Sequence, residues 1–219
     1  MVPDPHTLEG ATVVLVHGLY MGPWAMGYLD HGLRAAGLTV VRADYASVGA
    51  TLPESADRLA RYLARVRGDS VHFVAHSLGG LVVRHLFHRY PDQRPGRVVT
   101  LGTPHQGSHV ARWLAARPGL GWVLGYSGPA GALGGAPPWN GSHQLGVIAG
   151  DVHLGLGQLF PDLPRPNDGT VTVEETGLAG AADRIVLPVT HTGLLLSRQV
   201  LGQVLSFLKD GHFVHDLAR

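Results

Sequence analysis

Five short apolar runs recur along the chain, Thr12–Val16, Thr39–Ala43, Val71–Ala75, Arg97–Leu101 and Arg184–Val189, and helical patterns separate them. A sixth run, Gly146–Ala149, is weaker. Strands that are apolar along their whole length need cover on both faces, and helices supply it in a parallel sheet. Glu54–Arg67 sets Leu59, Tyr62, Leu63 and Val66 on one helical face and Arg58, Arg61 and Arg65 on the solvated one. Leu78–Tyr90 predicts a second helix, stopped by Pro91, and Leu194–Lys209 a third, ending near Gly211. The alternation predicts an α/β class fold: one domain over residues 1–219, with a mostly parallel sheet of about six strands and helices on both faces.

Residues 105–145 break the alternation. They are dense in Gly and Pro yet carry Trp113, Trp122, Leu124, Tyr126 and Trp139. A structureless connection of that length is uncommon in a compact domain unless it has a function. The segment is a candidate cap or lid insertion starting with a helix near His109–Ala116. Core filling by its aromatics is the competing expectation.

In open α/β sheets, ligands bind beyond the carboxyl ends of the strands, so the residues following each strand are the informative ones. Val16-His17-Gly18-Leu19-Tyr20-Met21-Gly22 follows the first strand, where a glycine-bearing loop can present the Leu19 N–H to an oxyanion. Ala75-His76-Ser77-Leu78-Gly79-Gly80 follows the third. A serine between strand and helix is either an N-cap or a nucleophile held in a tight turn. In the second case small flanking residues are needed, and the Leu78 N–H at the helix start becomes a second oxyanion donor.

A serine nucleophile requires a base, and the base requires an orienting carboxylate. His191 follows the last strand. Asp168 sits in the polar turn Asn167-Asp168-Gly169 after the penultimate one. Asp151 is the rival acid, whereas Asp183 precedes its strand and lies at the wrong end. Tyr20, Met21 and Trp24 are candidate substrate contacts, with core packing as the alternative. His76 is expected beside the substrate as a packing or hydrogen-bonding neighbour, and His105 and Gln106 at the border of the site.

Several function classes lose support. A formal net charge of +1 offers no general attraction for nucleic acid. HExxH, GxxxxGK[ST] and strand-linked GxGxxG patterns are absent from the sequence, so neither a catalytic metal nor a nucleotide cofactor is expected. With no cysteine, thiol catalysis is excluded. No apolar run reaches the roughly 18 residues that span a bilayer, so stable membrane insertion is not expected, while transient contact with a lipid interface is. The start of the chain does not resemble a signal peptide. A cytoplasmic location is the default expectation, and a secreted or periplasmic one follows if a leader has been removed. Oligomeric state is not legible.

Four blocks, VLVHGLYMGPW (14–24), VAHSLGG (74–80), NDGTV (167–171) and VTHTGLLLSRQV (189–200), resemble the α/β-hydrolases, specifically small bacterial lipases and esterases. The segment LGTPHQGSHVA (101–111) is similar instead to lipases of the GPI-inositol-deacylase-like group. The resemblance implies cofactor-free serine-dependent ester hydrolysis, with Ser77, Asp168 and His191 as the triad and Leu19 and Leu78 as oxyanion donors. Medium-to-long acyl or polymeric esters are the expected substrates. An acyltransferase on the same triad and a non-catalytic binding protein on the same scaffold are the alternatives. The smallest lipases of this kind lack a lid, and residues 105–145 are a departure from them.

Overall fold

The computed structural model describes residues 8, 10–127, 131–141, 143–155 and 162–215. Six strands, β1 (Thr12–Val16), β2 (Thr39–Ala43), β3 (Val71–His76), β4 (Val98–Leu101), β5 (Leu145–Gly150) and β6 (Asp183–Leu187), form one sheet in the order β2-β1-β3-β4-β5-β6. Every pairing is parallel, so Val16 lies beside Ala43 on one side and Ala75 on the other. The helices are α1 (Gly27–Ala35), α2 (Leu52–Leu63), α3 (Leu78–Arg89), α4 (His109–Ala115), α5 (Gly193–Leu196) and α6 (Arg198–Asp210).

The strand pleat distributes β1 between two cores. Val14 and Val16 pack with residues of α2 and α3, while Val13 and Leu15 pack with those of α1, α5 and α6. The central strands β1, β3, β4 and β5 are buried throughout, whereas the edge strands β2 and β6 alternate more with solvent. Helix α2 opens with a capping box, in which Thr51 and Glu54 satisfy each other's backbone N–H groups. Arg58, Arg61 and Arg65 face solvent, as the sequence pattern requires.

Several boundaries differ from the sequence expectation. The weak run at 146–149 is a full strand flanked by β4 and β6. The final helix is two, because Ser197 is extended (φ −83°, ψ 129°) and its side chain caps α6 by accepting from the Gln199 and Val200 N–H groups. The helix expected to reach Arg67 ends at Leu63. Helix α1 has no counterpart in the sequence analysis. Its Gly32 lies where a Cβ would come within 2.3 Å of the Leu201 side chain on α6, so a side chain there would require Leu201 to shift.

Residues 105–145 divide in two. Trp139 packs on Phe87 with ring centroids 4.9 Å apart and joins the core. Ala111, Leu124 and Ala132 form a separate small cluster with Leu114 and Leu133. Residues 128–130 and 142 lie outside the described residues.

Candidate active site

Strand order reverses between β1 and β3, and the loops leaving their carboxyl ends diverge to open a crevice there. Ser77 occupies the β3 exit with φ +53° and ψ −121°, a conformation that costs a non-glycine residue of order 1–3 kcal/mol. The surroundings impose it. The Ser77 N–H donates to Leu101 O (2.8 Å), and Ser77 O accepts from Thr103 Oγ1 (2.9 Å) and the Gly80 N–H (3.1 Å). Close approach of α3 to β1 demands Gly79, where a Cβ would lie 2.6 Å from both Val16 O and His17 O.

The capping alternative for this serine does not hold. Ser77 makes no side-chain cap on α3, and its Oγ lies 3.0 Å from His191 Nε2. His191 Nδ1 lies 2.7 Å from Asp168 Oδ2. The other Asp168 oxygen, Oδ1, accepts from the Thr170 N–H (2.9 Å) and the Val171 N–H (2.8 Å). A carboxylate can only accept, so His191 Nδ1 carries the proton and Nε2 is left to accept from the serine hydroxyl. Asp168 is fully buried, and the His191 side chain is 13% exposed. Asp151, the rival acid, is exposed at the end of β5. The segment connecting β5 to β6 carries Asp168 back to His191, whose own N–H donates to Asp168 O at 2.7 Å.

Leu19 lies in the β1 exit loop and Leu78 in the first turn of α3, where the N–H has no intrahelical acceptor. Both border one apolar cavity of about 390 Å³ together with Ser77 and His191. Met21 and Tyr20 line it, and Val110, Leu114, Val123 and Leu124 from the 105–145 segment form part of its wall. Tyr20 has φ +57° and reaches across with its hydroxyl.

Three expected site neighbours sit elsewhere. Trp24 is 73% exposed in a 3-10 turn over Pro23–Met26 and does not line the cavity. His105 is buried away from the cavity, between Thr100 Oγ1 (3.0 Å from Nε2) and the Arg84 guanidinium. Burial and that cation push its pKa down to about 3. Gln106 is exposed and bonds to Gly177 O. The cavity instead takes Pro104 and Ser108 from this stretch.

Two polar residues missed by the sequence analysis fasten the surrounding loops. Glu175, buried, accepts from the Thr172 N–H of the acid turn (2.8 Å), from the His109 N–H that begins α4, and from Arg112. Its spacing from Thr172 is that of a capping pair, a signal visible in the sequence. Arg84, buried in α3, donates to His105 O (2.6 Å), Ala136 O (3.2 Å) and Pro137 O. Nothing in its sequence context marks it.

Among the described residues no group of three or more His, Cys, Asp or Glu is placed to hold a metal ion, and no helix is long and apolar enough to cross a membrane.

A serine–histidine–aspartate chain lies at the exits of a six-stranded parallel sheet, and the comparisons give the family. The chain belongs to the alpha/beta hydrolase family, whose model matches residues 13–217. It is similar to methyl jasmonate esterase 1 of Vitis vinifera, 31% identical over 124 residues that make up 48% of this chain and 48% of that protein. It is also similar to the probable esterase PIR7A of Oryza sativa, 33% identical over 113 residues, 46% of this chain and 43% of the relative. The matched stretches span about half the length of these curated relatives. Among solved structures, the Bacillus licheniformis lipase BlEst2 in its mature form superposes with a TM-score of 0.72 at 21% identity, covering 94% of this chain and 92% of that one. A likeness at this identity establishes the shared fold.

Proposed function

We propose that the protein is a serine-dependent carboxylic-ester hydrolase acting through an acyl-enzyme. Ser77 Oγ attacks the ester carbonyl as His191 Nε2 takes its proton. Asp168 holds the imidazole in the required tautomer and stabilises the imidazolium. The carbonyl oxygen, now negative, is stabilised by the Leu19 and Leu78 N–H groups; one such donor is typically worth about 2.7–4 kcal/mol. The tetrahedral adduct collapses, and His191 returns the proton to the departing alcohol. Water then repeats the sequence on the acyl-enzyme, with His191 as base, and releases the acid and Ser77.

The observation that carries this proposal is the continuous Asp168–His191–Ser77 hydrogen-bonded chain, 2.7 Å and then 3.0 Å, ending at an apolar cavity. The cavity's apolar walls favour an uncharged acyl group of medium to long chain. Esterases and a lipase among the relatives and structural neighbours support the same reaction class.

The test is initial hydrolysis rates on p-nitrophenyl esters from acetate to palmitate, wild type beside Ser77→Ala. The expected result is an optimum at one chain length that disappears in the variant. A Ser77→Ala protein with undiminished turnover would overturn the proposal. Dominant acyl transfer to an added alcohol would reassign the enzyme as an acyltransferase.

A further inference from the structure

The candidate base sits in a turn between β6 and α5 rather than in a helix or strand. Its imidazole must nevertheless meet Ser77 and Asp168 at once, and a turn alone does not hold a side chain to within about half an ångström. Two hydrogen bonds hold the His191 main chain. Its N–H donates to Asp168 O at 2.7 Å, and its carbonyl oxygen lies 3.1 Å from His76 Nε2. His76 is the last residue of β3, next in the chain to Ser77, and its ring is fully buried with its centroid 4.7 Å from that of His191.

The protonation state follows from the partner. A carbonyl can only accept, so Nε2 of His76 carries the hydrogen. Nδ1, toward Gly18, has no hydrogen-bond partner among the described residues, and a Cβ on Gly18 would come within 3.0 Å of it. Burial, and then the neighbouring His191, hold the His76 pKa well below its ordinary value, so the ring is neutral. Neutrality matters here: a second cation 4.7 Å away would oppose the imidazolium that His191 becomes in the reaction.

We infer that His76 is a positioning residue. It pins the carbonyl of the base to the strand that carries the nucleophile, while the acid's own carbonyl pins the N–H of the base. The His191 main chain is thereby tied to the acid and to the residue that precedes the nucleophile. Sequence analysis expected His76 beside the substrate as a packing or hydrogen-bonding neighbour; it does border the cavity, and its one paired nitrogen goes to the carbonyl of the base. This inference rests on the triad assignment proposed above.

The test uses the full chain with His76→Leu, His76→Gln and His76→Asn, with Ser77→Ala alongside. Thermal melts report folding, and a p-nitrophenyl alkylphosphonate titrates competent serines. The Gln amide nitrogen can reach the position of imidazole Nε2; that of Asn falls near Nδ1. The expected result is that kcat per titrated site and the rate of serine phosphonylation fall together by about 100-fold in His76→Leu, the loss typical of a misplacement of about 1 Å. KM should stay within about twofold. Gln should restore most of the rate and Asn little of it. If the Leu variant does not fold, the contrast between Gln and Asn decides.

Equal rates per site in all folded variants would overturn the inference. So would a raised KM with unchanged kcat, which would make His76 a substrate contact, and so would Gln performing no better than Asn. Loss of activity in Ser77→Ala with indifference at His76 removes this inference alone. Full activity in Ser77→Ala removes the triad assignment and the inference with it.

Discussion

The Tyr20 hydroxyl donates to the Val123 carbonyl oxygen at 2.5 Å, across 103 positions of sequence. Tyr20 directly follows the candidate oxyanion donor Leu19, and Val123 belongs to the wall built by the 105–145 segment, so one hydrogen bond ties the oxyanion loop to the material facing it. The same stretch is held a second time, since the Tyr126 N–H donates to Val48 O at 3.2 Å. Tyr20→Phe removes the tie and keeps the ring. A neutral hydrogen bond is worth about 1 kcal/mol, so the ratio of palmitate to acetate hydrolysis should rise about fivefold as the wall loosens. Measuring kcat/KM across the acyl series checks it, and an unchanged ratio would show that the tie does not limit acyl length.

Asp168→Asn should leave the fold intact and lower kcat by about 10⁴-fold. An Asn oxygen can still accept from the Thr170 and Val171 N–H groups, as Oδ1 does now. The amide would then face His191 Nδ1, donor against donor, and favour the tautomer that cannot accept from Ser77. Near-UV circular dichroism matching wild type, together with the lost turnover, is the expected pair of results.

Arg84→Met should loosen the segment around Ala136 and Pro137. The buried guanidinium is bonded there to carbonyl oxygens, and burial lowers its pKa to about 10, leaving it cationic near neutrality. Hydrogen bonds to a charged group contribute about 1.5–3 kcal/mol each, offset by the cost of burying the cation. A net destabilisation of about 2–3 kcal/mol should appear in urea unfolding. Hydrogen exchange should quicken first at residues 132–139.

Stability should fall as pH drops below about 6.5. Burial, with Arg97 and His143 nearby, depresses the His72 pKa to about 4, and His105 is held at about 3. Both folded values lie below the unfolded one, so the unfolded chain binds protons first on acidification. This contribution is fully present above the unfolded pKa and is lost as pH falls toward 4 and then 3. His72 Nδ1 also accepts the Arg97 N–H at 3.0 Å, which a protonated ring could not do. His72→Asn keeps an acceptor at that place and removes the titration. Its melting temperature should therefore fall less steeply than that of wild type between pH 6.5 and 4.

The strands were legible where apolar side chains fill both faces, as in Thr12–Val16, whose residues are all buried. Strand β5 was faint because LGVIAG spends two positions on glycine, yet the packing requires both. A Cβ at Gly146 would meet the Phe207 and Phe213 rings at 2.7 Å, and one at Gly150 the Val189 carbonyl at 2.4 Å. Helix α1 was hidden for a similar reason: Gly27 and Gly32 dilute its pattern, while Gly32 leaves room for the Leu201 side chain of α6. Ser77 and His191 could be nominated because strand-end position is readable one strand at a time, and Asp168 because it sits in a polar turn between them in chain order. The roles of Arg84, His105 and Glu175 could not be read in this way. Their partners lie as much as 53, 21 and 66 positions away, and only the fold brings them together.

The Glu175 carboxylate accepts from the turn that carries Asp168 and from the first amide of α4. Roof and acid turn are thus fastened by one side chain and form a single unit of inheritance. A descendant that trades residues 109–127 for a shorter connection to widen its substrate range must first find Glu175 a new donor, or the exchange disturbs the aspartate along with the roof. Grafting a foreign roof onto this scaffold carries the same condition, and the junction to design first is Glu175, not the cavity wall.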